Sequence, residues 1–289
     1  MRTRRKPKFD ALDVINYTIL SISGLLAIFP VWYIFVISVS TGQSYISDKL
    51  HFWPKAFSLA EYSRAILAGG ITHSLGISAI VTVAGTIFSL LLSIPCAYAL
   101  SKKRLRGRNI FLTLIIFTMF FNGGLIPNYL LVVKLGLKNN LLSLVLPLAV
   151  STYYLLIIKT FMTTIPPSLE ESAKIDGYND FGILIKIVFP VSMPMIAAIS
   201  LFYGVQYYND YFNALLYISS RKLYPLQVLL REMVINNIAN DSSVGGDSTL
   251  TGEIFKMACV ILGIIPILVV YPFLQKYFVT GIMLGSVKE

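Results

Sequence analysis

The chain has 289 residues, of which 56% are hydrophobic and only 13% charged; its mean hydropathy is +0.72 and its formal net charge +10. That composition excludes a disordered chain and an ordinary soluble globule, where about 25% of residues carry charge. The apolar residues fall in long blocks and the basic ones flank them, so the positive excess reads as a membrane-surface and orientation signal, not a nucleic-acid footprint.

A hydrocarbon core about 30 Å thick takes roughly 20 apolar residues per helix. Six blocks approach or exceed that length: about Val14 to Val39, Leu75 to Leu100, Ile110 to Val133, Leu141 to Ile158, Ile196 to Tyr217 and Met257 to Phe273. Each is too long for a buried strand, and a membrane barrel would show short alternating segments instead. The expected fold is an all-α membrane protein of about six transmembrane helices. The first block has the basic front of a signal peptide. It exceeds a signal core of about 7–15 residues and no small-x-small cleavage site follows, so a retained helix is expected.

Arg2, Arg4, Arg5, Lys6 and Lys8 precede the first span, and Lys102, Lys103, Arg104, Arg106 and Arg108 follow the second. The positive-inside rule puts both groups in the cytoplasm, and six spans return the C-terminus to that side. Residues 1–13 then form a basic cytoplasmic N-terminus and residues 14–289 a single transmembrane domain, with external loops at 41–72, 134–140 and about 218–254. Cys96 and Cys259 lie inside apolar runs and His51 and His73 are isolated, so neither a disulfide framework nor a metal site is expected. Pro30, Pro95, Pro127, Pro147 and Pro266 interrupt spans. Membrane helices tolerate such residues, and helices that rock against one another use them; composition does not separate the two.

Between the fourth and fifth spans runs IPPSLEESAKIDGYNDFGILIKIVFPVSMP, Ile165 to Pro194. Pro166 and Pro167 stop the preceding helix. Ser168 and Glu171 have capping-box spacing, so a new helix is expected to start there, with Glu170 and Glu171 in its first turn. Gly177 suits a left-handed stop, and Asn179 suits the cap of a second helix from near Asp180. Two roles fit this helix–turn–helix: a docking element at the membrane surface, or a surface helix that only links two spans.

Glu171-Ser172-Ala173, three residues, Gly177, nine residues, then Ile187-Val188-Phe189-Pro190 resembles the EAA loop of ATP-binding-cassette importer permeases. Asp176 matches the frequent acid before the glycine; Ser172 and Phe189 depart mildly from alanine and leucine. Likeness to the carbohydrate-importer group extends over nearly the whole chain, carried by FNGGLIPNYLLVVKLGL (ending at Leu137), YNDYFNALLYI (Tyr208 to Ile218) and YPFLQKYFVTGIMLGSVKE (Tyr271 to Glu289). It resembles the smaller maltose-type permease subunit, and more closely the subgroup serving complex oligosaccharides, including alginate-type importers. The resemblance implies a type I importer permease fold in a bacterial cell membrane. It implies a heterodimer with a second permease, two cytoplasmic ATP-binding subunits that hold ATP and Mg, and an extracytoplasmic solute-binding protein. It also implies that Glu170, Glu171, Ala173, Asp176 and Gly177 shape a coupling helix, within a coupling loop of about 165–190, and that Ile187 and Pro190 support its base. The chain itself has no G-x-x-x-x-G-K-[ST], so no P-loop cradles ATP here and energy must come from a partner or an ion gradient.

The fifth span is the most polar. Tyr203, Gln206, Asp210, Asn213 and Tyr217 recur at three- and four-residue steps and share one face of a continuous helix, thickened by Tyr207, Asn209 and Tyr211. Amides, a carboxylate and aromatic rings suit a sugar path; helix–helix hydrogen bonding, or an aromatic belt at the helix end, fits equally. Asn122, Gly123 and Gly124 break the third span as a gate or as a packing notch. No Lys or Arg lies deep in an expected span, so acidic-sugar recognition rests on the subgroup likeness alone. Residues 219–253 hold no long apolar run and read as an external loop. The alternatives are an ion-coupled transporter using Asp210, an intramembrane enzyme, for which no catalytic constellation is found, and a non-transporting scaffold.

Overall fold

In the computed structural model, described over residues 11–47, 51–67, 70–240 and 247–286, the apolar blocks fold as helices. Lipid offers backbone groups no partners, so each span must satisfy its own. In chain order the helices are α1 (Ala11–Ser38), α2 (Gly42–Ser47), α3 (Ala60–Leu67), α4 (Ile71–Ser101), α5 (Arg108–Phe120), α6 (Leu125–Lys134), α7 (Leu142–Val145), α8 (Thr152–Met162), α9 (Pro167–Ile175), α10 (Asp180–Ile183), α11 (Phe189–Val191), α12 (Met193–Tyr208), α13 (Phe212–Tyr217), α14 (Leu226–Asn240) and α15 (Asp247–Ser286). A 3₁₀ turn, Leu146–Leu148, follows α7, and a π-helical turn, Leu184–Val188, joins α10 to α11.

Three spans are single helices, over Leu12–Ser38, Ile71–Ser101 and Gly252–Pro272. Three more are bent pairs: α5 with α6 at 111°, Leu142–Leu148 with α8 at 52°, and Asp180–Val191 with α12 at 84°. Counting each pair once gives up to six spans among the described residues. The third breaks where the sequence predicts: Asn122 Oδ1 accepts the Gly124 N–H at 3.0 Å and Asn128 Nδ2 at 3.2 Å, so a side chain takes over from the helix ladder.

Three expectations are corrected. The fifth span is not one helix to Tyr217: α12 ends at Tyr208 and α13 starts at Phe212, so the polar positions share no single helical face. Residues 219–253 are not simply a loop. Leu226, Val228 and Leu229 are buried and α14 forms around them, because this short apolar cluster finds packing partners that length alone does not reveal. The coupling segment does not start with Ser168 as cap: α9 begins at Pro167, with Pro166 at the cap position and no side-chain cap bond. Proline at the first helical position loses no needed N–H and has its φ preset, and it forces Pro166 into an extended ψ of 130°.

Packing divides the chain into two units, residues 1–69 with 233–262 and residues 70–232 with 263–289. The basic residues from Arg2 to Lys8, and Asp48, Asp241, Gly245 and Gly246, lie outside the described residues. In the first unit, Val36, Ile37, Val39, Ala65, Ile254, Ala258 and Cys259 are buried. Ser38 Oγ and Tyr62 Oη lie 2.7 Å apart, and Ser58 N donates to Val39 O at 2.8 Å. Lys256, just before the expected start of the sixth span at Met257, is buried near the beginning of the helix segment Gly252–Pro272; its Nζ sits 2.8 Å from Glu253 Oε1 on the same helix. A buried cation is tolerated when so paired.

The second unit is built around α4. Its serines Ser74, Ser78, Ser89 and Ser93 and Gly85 form one small-residue stripe, all buried. Small residues let helices approach closely where lipid gives no hydrophobic drive for association. α12 and α8 pack on α4 and share its core, with Ile158, Leu155, Ile199 and Tyr203 fully enclosed.

Candidate functional site

The coupling segment is assembled from local rules. α9 turns Ala173 into the protein, while Glu171, Ser172, Lys174, Ile175 and Asp176 face outward. Its end is a Schellman motif: Gly177 N donates to Lys174 O and Tyr178 N to Ala173 O, both at 3.0 Å, with Gly177 at φ +86°. Asn179 caps α10 as the sequence predicts, its Oδ1 accepting the Gly182 N–H at 2.8 Å. Ile187, in the π-helical turn, is half-buried and packs on the core, and Pro190 is exposed within α11. Ile175, 87% exposed, and Phe181, 66% exposed, stand out on either side of Gly177 among charged neighbours.

Basic residues after α4 reach this segment, a link that periodicity did not reveal. Lys102 forms an ion pair with Glu170, and both side chains are mostly buried. Lys102 Nζ also lies 4.2 Å from the centre of the Tyr98 ring. Arg104 pairs with Asp180, more openly. Arg108 Nε donates to Leu100 O at 2.8 Å, satisfying a carbonyl of the last turn of α4. Spaced pairs such as Lys102–Glu170 carry no local sequence signature; only the alternation of acids in one loop with bases in another hints at them.

The polar residues of the fifth span separate into two groups. Tyr203 Oη is 3.1 Å from Ser93 Oγ and accepts the Ser151 N–H at 3.0 Å. Tyr207 Oη is 2.8 Å from Ser89 Oγ and donates to Val145 O at 3.3 Å. Tyr208 Oη donates to Gly263 O at 2.8 Å. Tyr217 is buried and stacks on Tyr129 at 6.2 Å, and its carbonyl accepts the Asn139 N–H at 2.8 Å. These tyrosines tie helices together. The serine stripe of α4 was the available signal for their partners.

Gln206, Asn209, Asp210 and Asn213 are exposed or half-buried. Asp210 Oδ1 accepts the Asn213 N–H at 3.3 Å, and both its oxygens accept from Asn213 Nδ2 at 3.1 Å, which braces the turn leading into α13. Tyr211, in the same turn, carries the Arg231 guanidinium 4.7 Å from its ring centre. Asn122, Gly123 and Gly124 form the exposed break of the third span. Asn139, at φ +59°, holds the chain after α13 by accepting the N–H groups of Ser219 at 3.1 Å and Ser220 at 2.9 Å.

Comparison with known proteins gives a consistent result. Residues 86–283 match the family described as binding-protein-dependent transport system inner membrane component. The chain is 44% identical to the polygalacturonan/rhamnogalacturonan transport system permease protein YtcP of Bacillus subtilis, covering 96% of this chain and 98% of that one. It is 40% identical to Protein LplC of the same organism, covering 96% and 94%. Among solved structures, a bacterial ABC transporter involved in the import of the acidic polysaccharide alginate aligns with a TM-score of 0.85 and 32% identity, covering 94% of this chain and all of the matched one.

Proposed function

The chain belongs to the binding-protein-dependent transport system inner membrane components and is a multi-pass permease subunit of an ABC importer of the sugar and oligosaccharide group, and from this premise we propose that it imports acidic oligosaccharides as half of a two-permease pathway. Two cytoplasmic subunits bind ATP and Mg and dock on the segment 165–190 in a bacterial inner membrane. An extracytoplasmic binding protein delivers the sugar. Closure of the ATP-binding subunits favours one of two global arrangements of the membrane helices, and hydrolysis returns the other. This membership favours ATP-driven transport over an ion-coupled use of Asp210.

The observation that carries the coupling role is the outward display of Glu171, Ile175 and Phe181 around the Gly177 turn. Apolar side chains of that size, set among charges on either side of a Schellman turn, suit a groove in a partner. The acidic-sugar reading is supported by the names of two relatives, one a polygalacturonan/rhamnogalacturonan system and one an alginate importer. Arg231 gives it a chemical basis: a guanidinium seated on Tyr211, beside the Asn209–Asn213 turn and without an acidic partner among the described residues, suits a uronate carboxylate. Asn209 and Asn213 suit sugar hydroxyls.

The test is ATPase activity of the complex co-purified with its partners and reconstituted with its binding protein. Oligogalacturonate is expected to stimulate hydrolysis and neutral oligosaccharides are not, and Arg231→Gln is expected to weaken that preference. Stimulation by neutral sugars alone would overturn the acidic reading. Isolation without any ATP-binding subunit in mild detergent would overturn the coupling role.

A further inference from the structure

Two routes connect the coupling segment to the helices that move. The covalent one runs from α9 through the left-handed Gly177, the π-helical turn Leu184–Val188 and an 84° bend at Ser192 before it reaches α12. None of these features continues a straight α-helical ladder, so the covalent route is not one continuous rod. The second route is short. Lys102, immediately after α4, pairs with Glu170 in the first turn of α9, and Arg104 pairs with Asp180 at the start of α10. α4 in turn is locked to α12 by Ser93–Tyr203 and Ser89–Tyr207.

We propose that Lys102 and Arg104 are positioning residues for transport: they clamp both helices of the coupling segment to the end of α4, so that a push on α9 moves α4 directly instead of being absorbed in residues 177–192. This rests on the coupling reading above. The two pairs are not equivalent. Lys102–Glu170 is largely withdrawn from water and braced by Tyr98, so it is the stronger tie. Arg104–Asp180 is open on both sides, and an exposed pair adds little by itself. It fixes the rotation of the segment about the first tie.

The experiment uses the whole complex in lipid nanodiscs, normalised to assembled complex. Lys102→Glu and Glu170→Lys are each expected to lower the substrate-stimulated component of ATP hydrolysis at least about fivefold, the lower end of typical coupling energies. The swap Lys102→Glu with Glu170→Lys is expected to recover most of it, which a general loss of folding or of docking at Glu170 would not allow. As a second arm, cysteines at 102 and 170, with Cys96 and Cys259 replaced by Ser, are bridged by a short bis-thiosulfonate reagent. The bridged complex is expected to keep transporting. Stimulation in the wild-type complex with no loss in either single variant, or arrest of transport by the bridge, would overturn the clamp. No stimulation in the wild-type complex would overturn the coupling reading and the clamp with it.

Discussion

Gly85 and Tyr207 occupy the same place at the α4–α12 crossing: a Cβ on Gly85 would lie 2.7–2.8 Å from three atoms of the Tyr207 ring. The ring cannot swing aside, because its hydroxyl is held by Ser89 and Val145. The absence of a side chain at 85 therefore sets the distance between the two helices that form the middle of the second unit.

Gly85→Ala is expected to lower the stability of the assembled complex by about 1–3 kcal/mol, the usual range for overpacking. Thermal unfolding in detergent measures it. Tyr207→Leu removes the clashing ring atoms, so the two changes together are expected to cost less than their sum. Additive losses would mean that the crossing adjusts elsewhere.

Tyr203 was singled out in the sequence as a candidate for the sugar path, yet its hydroxyl is engaged by Ser93 and by the Ser151 N–H in a fully buried setting. Tyr203→Phe strands that amide, so a loss of about 1–3 kcal/mol is expected. The sugar concentration giving half-maximal ATPase stimulation is expected to stay the same. A shifted sugar dependence with unchanged melting would return Tyr203 to the path.

Asp210 offers a sharper comparison. Its carboxylate accepts from both the backbone N–H and the side-chain amide of Asn213. An Asn carbonyl can accept from Asn213 as well, whereas Ala cannot, so Asp210→Asn is expected to keep stability and Asp210→Ala to lose about 1 kcal/mol, the usual worth of a hydrogen bond. Uptake by Asp210→Asn is also expected to be insensitive to an uncoupler while ATP is maintained, since no proton need travel on this side chain. Uncoupler-sensitive uptake in the wild type that disappears in Asp210→Asn would contradict this.

What the sequence disclosed follows from how far each signal reaches along the chain. Span number, the break at Asn122–Gly124, the Gly177 stop and the Asn179 cap all come from residues within a few positions of one another, and local chemistry decides them. The end of α12 at Tyr208 is not legible in the sequence because a polar run at helical spacing looks continuous, and the local Asp210–Asn213 bonds of the turn that follows compete with the helix ladder without changing that spacing. Lys102–Glu170 spans 68 residues and Tyr203–Ser93 spans 110, separations at which single-sequence patterns carry no pairing information. At Ser168 two good local signals compete, and Pro167, with its φ preset, takes the first helical position before a capping box can form.

Gly177 separates backbone conformation from side-chain volume. Its φ of +86° lies in the left-handed region, yet a Cβ there would meet nothing within 4 Å inside the chain. Gly177→Ala thus strains the turn by about 1–2 kcal/mol without any internal clash. Gly177→Asn is larger but tolerates that region better, and asparagine serves as a natural helix stop. If the turn only needs its conformation, Asn is expected to retain more sugar-stimulated ATPase activity than Ala in the reconstituted complex. If a partner surface presses against the bare Cα, the order reverses and the larger Asn is worse. The ranking of the two variants therefore reports on contact at Gly177 itself.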